Sequence, residues 1–138
     1  AIDARVPPGF APYDELPPKL ASHRNGDVAA RIVVRFEEAF ESLRLQRAIL
    51  QHLPRGELRV PLAEPAQGAF GLGWIEGWRG EVLVALEAGA HGRIRRCHPH
   101  DPSWQNWPAL EHAVIGNIVP DFPLINKSFN LSYAGADL

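Results

Sequence analysis

Gly77-Trp78-Arg79-Gly80-Glu81-Val82-Leu83-Val84-Ala85-Leu86 is the stretch on which the fold turns. Its second half, Glu81 to Leu86, is nearly continuously apolar, the pattern of a strand covered on both faces and so central in its sheet. Trp78-Arg79-Gly80 turns the chain into it. Upstream, Phe70 to Gly77 alternates apolar and small residues, with Phe70, Leu72 and Trp74 in period two. Downstream, Ala88-Gly89-Ala90-His91-Gly92 reads as a loop, and Arg93 to His98 returns as a strand anchored by Ile94. The sequence therefore predicts an antiparallel meander of about three strands. Leu58-Arg59-Val60 is a further short strand candidate, and Pro61 to Gly68 a connector.

One strong helix precedes the sheet. Asp27 opens it, and it runs to about Leu53, where Pro54 and Gly56 stop it. Val28, Ile32, Phe36, Ala39, Phe40, Leu43 and Leu50 fall mostly at helical spacing and predict its inner face. Arg31, Glu37, Glu38, Glu41 and Arg44 populate much of the rest. At roughly 27 residues it would span about 40 Å, longer than so small a domain needs, so one end is expected to reach a neighbour. Residues 1–25 hold Pro7, Pro8, Pro12, Pro17 and Pro18 and read as an extended arm lying on another surface. After the sheet, Asn106 can cap a helix with Pro108 in its first turn and Trp107, Leu110, Ala113 and Val114 inward, ended by Gly116. Asn117 to Leu138 reads as a buried tail. The expected fold is α+β over residues 26–138: a long amphipathic helix packed on a small antiparallel sheet, then a short helix and the tail.

At 138 residues the chain fits one domain. Its net charge of -2 and pI near 6.3 argue against a dedicated nucleic-acid binder. No run approaches the roughly 18 apolar residues of a membrane span, and the start lacks a secretory pattern. A single cysteine, Cys97, excludes an internal disulfide and fits a reducing, cytoplasmic compartment. The absence of Met, with Ala1 first, leads us to expect a processed start or a piece of something larger. Four Trp and 13 Pro point the same way, since flat aromatics are enriched where proteins meet partners.

Three separated motifs, in order, carry a family resemblance. Pro102-Ser103-Trp104 leading to Ser128-Phe129-Asn130-Leu131-Ser132-Tyr133-Ala134-Gly135 resembles the C-terminal segment of [NiFe]-hydrogenase large subunits and of their relatives, the quinone-site large subunit of complex I. Gly77-Trp78-Arg79-Gly80 resembles the Pro-Arg-Gly turn of both. Gly26-Asp27-Val28-Ala29-Ala30-Arg31 resembles the Gly-Asp-x-x-Ala-Arg helix of complex I large subunits. Asn126-Lys127-Ser128-Phe129 and Pro102-Ser103-Trp104 look closer to the formate hydrogenlyase and hydrogenase-4 type.

In the hydrogenases the last motif reads Ser-Phe-Asp-Pro-Cys-x-x-Cys, and its cysteines hold nickel and iron. Here Ser132 and Gly135 stand at the cysteine positions, Asn130 at the acid and Leu131 at the proline. Such a centre needs soft thiolates; glycine offers no ligand and a serine hydroxyl is a poor one. The other two cysteines would come from an N-terminal portion that this chain does not contain. The resemblance implies no nickel site in this chain, and we expect none in its parent. It also implies that Arg79 points into the same cavity as Asn130 and Ser132, which would host quinone or a vestigial site, with Trp78 changing one wall. Electrons would arrive from an iron–sulfur small subunit, whose cluster cannot be ligated by one cysteine here. The chain itself is expected to hold no cofactor, to be inactive alone, and to be cytoplasmic and peripheral to the membrane through its complex. The other reading is a catalytically inactive structural or assembly module.

Other constellations are weaker. Cys97-His98-Pro99-His100 lacks zinc spacing and reads as an exposed strand end. Glu37, Glu38 and Glu41 read as a solvated helix face. Ser132, Asp137 and the histidines make no triad, no Gly-x-Ser-x-Gly elbow is present, and no nucleotide-binding glycine pattern exists.

Overall fold

A computed structural model describes Arg5 and residues 13–136. Pro7, Pro8, Pro12 and Asp137 lie outside the described residues. Three α-helices and one three-stranded antiparallel sheet make an α+β fold. The first helix, α1, spans Val28–Gln51. Asp27 caps it, its side chain accepting from Ala30 N at 2.8 Å, which satisfies one of the orphan amides of the first turn. At its far end His52 donates its backbone N–H to Ala48 and Ile49 carbonyls. Pro54 then removes the next donor.

The buried line of α1 differs from the one its apolar spacing predicts. Ala30, Glu41 and Leu45 are buried, with Val34 and Glu38 half-buried between them and Ala48 half-buried beyond. Ile32, Phe36, Phe40, Leu43 and Leu50 are exposed. Polar anchors set this orientation. Arg31 Nε donates to Ser128 Oγ and Arg35 Nη2 to the Phe129 carbonyl, both at 2.8 Å, so the side of α1 carrying its arginines faces the third helix. Glu41 likewise leaves the solvated face expected for it. It pairs with Arg44 and accepts the Lys19 amide at 2.8 Å, while Arg44 also donates to the Pro17 carbonyl. The described part of the arm therefore lies along α1 of its own chain.

Strand β1 (Phe70–Gly77) pairs with β2 (Gly80–Ala88), and β2 with β3 (Ile94–His100), in the order β1-β2-β3. The central position of β2 and the meander follow the sequence reading. Trp78 and Arg79 form a two-residue turn between Gly77 and Gly80, which face each other in register. Gly80 sits at φ 131°, a conformation that side chains oppose. A bulge between Glu87 and Ala88 shifts the β2–β3 register, and Arg95 grips Glu87 in a two-pronged pair at 2.7 and 2.9 Å. Leu58-Arg59-Val60 does not form a strand. It is exposed, with Leu58 and Val60 at 104% and 73%, and it finds no partner ladder, which a strand requires; Pro61 also removes a donor.

Helix α2 spans Ser103–Ala113, three residues earlier than its expected cap at Asn106. Asp101 Oδ1 accepts the first helical amide, Ser103 N, at 2.8 Å, so Pro108 falls inside the helix. The segment read as a buried tail instead folds into a short turn and helix α3, Phe122–Phe129. Only Ile125 of α3 is fully buried, and Phe122 and Leu124 remain exposed. A helix satisfies its own backbone hydrogen bonds, which an extended buried tail could not do. α3 is the helix that α1 packs on; the sheet meets α1 at its β1–β2 turn, where the Arg35 guanidinium lies 5.6 Å from the Trp78 ring centroid. The buried apolar core is small: Ala30, Leu45, Leu110 and Ile125.

Candidate functional site

The β1–β2 turn, the start of α2 and the end of α3 converge on Arg79. A two-residue turn between glycines projects this side chain away from the sheet, and three of its groups are accounted for. Nη2 pairs with Asp101 Oδ2 at 3.2 Å. Nη1 reaches the Asn130 carbonyl at 3.5 Å. The Arg79 carbonyl accepts from Asn106 Nδ2 at 3.0 Å. Nε is buried without a hydrogen-bond partner, and such a group costs free energy until something accepts from it.

Asn130 ends α3 in the left-handed conformation, φ 52° and ψ 41°, which asparagine tolerates better than most residues. That kink brings Leu131 and Ser132 back toward α2. Ser132 N donates to Ser103 Oγ at 2.9 Å, and Ser132 Oγ accepts from Gly135 N at 3.1 Å. The hydroxyl at the first cysteine position is thus engaged in a local turn. At the second, a Cβ placed on Gly135 would lie 2.6 Å from Asp101 Cγ and 2.9 Å from its Oδ1. Asp101 fills the space a side chain there would need.

Asp101 is accordingly the hub. It accepts from the Ser103 amide, pairs with Arg79 and abuts Gly135. Burial opposes its charge, but hydrogen bonds from Ser103 and Arg79 outweigh that and hold its carboxyl below the usual range. Ser103, which joins Asp101 to the tail, is fully buried at 0%. Sequence reasoning named neither as a site residue, although Ser103 stands in the Pro102-Ser103-Trp104 motif. The available signal was Asp101-Pro102-Ser103, an acid and a proline before a helix. Asn106 was singled out for the wrong role, since it braces Arg79.

Arg79 and Asn130 are thus joined directly. Ser132 is tied to the same cluster through Ser103 and Asp101, and its hydroxyl does not meet Arg79. A cavity of about 710 Å³ opens beside Arg79, bordered by Trp78, Gln105, Asn106 and the carboxylates of Glu38, Glu76 and Glu81. Cys97 is exposed on β3, opposite Leu86. Among the described residues no three His, Cys, Asp or Glu side chains converge as metal ligands would.

Residues 1–68 match the family described as respiratory-chain NADH dehydrogenase, 49 Kd subunit. The chain is 32% identical to Hydrogenase-4 component G of Escherichia coli (strain K12) over 137 residues, covering 99% of this chain and 25% of that protein. It is also 32% identical to the carbon monoxide-induced hydrogenase of Rhodospirillum rubrum over 130 residues, covering 94% of this chain and 36% of that protein. The chain therefore spans a quarter to about a third of these relatives. Among solved structures, one described as the membrane-bound sulfane sulfur reductase (MBS), an archaeal respiratory membrane complex, contains the same fold. It superposes with a TM-score of 0.83 at 22% identity over 100% of this chain and 39% of that one.

Proposed function

Because this chain belongs to the large-subunit superfamily of complex I and the group 4 hydrogenases, we propose that it is the C-terminal domain of such a subunit in a membrane-associated oxidoreductase complex. There it takes part in electron transfer from an iron–sulfur partner subunit and has no nickel site of its own. The observation that carries the last point is the contact between Gly135 and Asp101. The position matching the second metal-binding cysteine has no room for a side chain, and its neighbour Ser132 offers a hydroxyl already bonded to the Gly135 amide. These residues do not fit a nickel–iron centre, which is held by thiolates.

The residues beside the larger cavity suit a quinone headgroup better. Its carbonyl oxygens would accept from the amides of Gln105 and Asn106 or from Arg79, against the flat ring of Trp78. A bound quinone would supply two-electron acceptor chemistry; the chain's own part would be to orient it and donate hydrogen bonds. The iron–sulfur cluster belongs to the partner in this reading, since Cys97 is the only cysteine. None of the described helices is long and apolar enough to cross a membrane; the placement proposed for the subunit is peripheral, on the cytoplasmic side, through its complex. The exposed apolar residues of α1 and β1, among them Phe36, Phe40 and Phe70, would be covered by the rest of the subunit or its partners.

A second reading, an inactive assembly module, draws on the bracing of Arg79 by Asp101, Asn106 and Asn130. Replacing Arg79→Ala in the intact complex separates the two. Loss of electron transfer with the complex still assembled supports a working cavity. Unchanged turnover supports the module and removes the electron-transfer role.

A further inference from the structure

A second cavity, of about 300 Å³, lies between the N-terminal half of α1, the β1–β2 turn and the end of α3. Arg31, Arg35 and Arg79 all border it, and Glu38 is the one carboxylate among its lining residues. Two of these guanidiniums are held in place by aromatic faces: Arg31 lies 4.3 Å from the Phe129 ring centroid and Arg35 lies 5.6 Å from that of Trp78. Arg31 donates to Ser128 Oγ and the Gly26 carbonyl, and Arg35 to the Phe129 carbonyl. These hydrogen-bond acceptors are neutral; the nearby carboxylates are Asp27 for Arg31, Glu38 for Arg35 and the Asp101 partner of Arg79.

Burial holds Arg31 and Arg35 below the ordinary arginine value. A carboxylate opposes this in each case, Asp27 for Arg31 and Glu38 for Arg35, and a neighbouring cation adds to it, Arg35 for Arg31 and Arg79 for Arg35. Three guanidiniums bordering one cavity, with Glu38 as the one lining carboxylate, form a cluster suited to an anion. The remaining walls are mixed: Ala30, Val34 and Leu131 form an apolar side, and His23, Asn25 and Asn106 a polar one. The apolar side suits an anion that carries a short hydrocarbon stem.

We propose that this cavity is a binding site for an aliphatic carboxylate, gripped between Arg31, Arg35 and Arg79. The proposal does not depend on the electron-transfer reading. The carboxylate can come from an aspartate or glutamate side chain of an adjoining polypeptide segment, or from a small organic acid.

The test titrates the 138-residue chain with glutarate and, separately, with inorganic phosphate, following the arginine Nε–H signals by NMR. Saturable shifts confined to Arg31, Arg35 and Arg79 are expected with glutarate, and weaker binding with phosphate. Arg31→Gln and Arg35→Gln, each checked for fold by circular dichroism, should weaken glutarate binding about tenfold or more, while Lys127→Gln, outside the cavity, leaves it unchanged. Arg35→Lys should fall between, since it keeps the charge and loses the fork. In the intact assembly, blocked glutarate binding identifies a polypeptide carboxylate as the native occupant, and retained binding identifies a small acid. Failure of glutarate to saturate, undiminished binding by both Gln variants, or tighter binding of phosphate overturns the proposal.

Discussion

Gly135 and Asp101 stand so close that a Cβ on Gly135 would lie 2.6 Å from Asp101 Cγ. Asp101 cannot simply move aside, because it also pairs with Arg79 at 3.2 Å and accepts the first amide of α2. The contact joins the end of the described chain to the turn that carries the candidate cavity. Absence of a side chain at 135 is therefore a packing requirement of this protein.

Substituting Gly135→Ala should destabilise the domain by about 1–3 kcal/mol, the usual cost of overpacking a filled site. The cost should shrink in an Asp101→Ala background, where the obstructing carboxylate is gone. Urea denaturation of the four proteins of that cycle measures the coupling. Additive effects would show that the two residues do not compete for space.

Ser103→Ala should destabilise by about 1–3 kcal/mol, because it strips the acceptor from a partly buried amide, Ser132 N, at a fully buried side chain. Hydrogen exchange should then quicken at Ser132 and Gly135 before it does in the β2 amides. Uniform acceleration across the chain would contradict a local anchoring role.

Glu41 gives a pH dependence whose sign is fixed. The Arg44 side chain foremost, and also the Lys19 amide, hold its carboxyl at about 2, below its ordinary 4.5. A carboxyl depressed on folding contributes stability above the unfolded value, and that contribution is lost as pH falls through the folded one. Wild type should therefore lose stability relative to Glu41→Gln as pH is lowered from about 5 toward about 2. A difference between the two proteins that does not change over this range would show that the Glu41–Arg44 pair is not coupled to folding.

The meander was readable because its signals are local. A continuous apolar run, flanking glycines and a two-residue turn at Trp78-Arg79 need no distant partner to specify them. The same holds for the start of α1 at Asp27. What the sequence hid were choices made by tertiary contacts. The buried face of α1 follows Arg31, Arg35 and Glu41, whose oxygen and amide partners lie far along the chain, so its apolar periodicity pointed to residues that stay exposed. The start of α2 was misplaced because Asn106 has the composition of a cap, and only the fold sends its amide to the Arg79 carbonyl. Arg79, Asn130 and Ser132 were named from the resemblance. Their link through Asp101 and Ser103 could be seen only in three dimensions.

Nickel and iron content of the natively purified, intact complex tests the central claim most directly. Iron without nickel is the predicted result, as expected when the positions of Ser132 and Gly135 provide no thiolate and Asp101 fills the space a side chain at Gly135 would need. Stoichiometric nickel would mean that other ligands hold the metal, and would contradict the account.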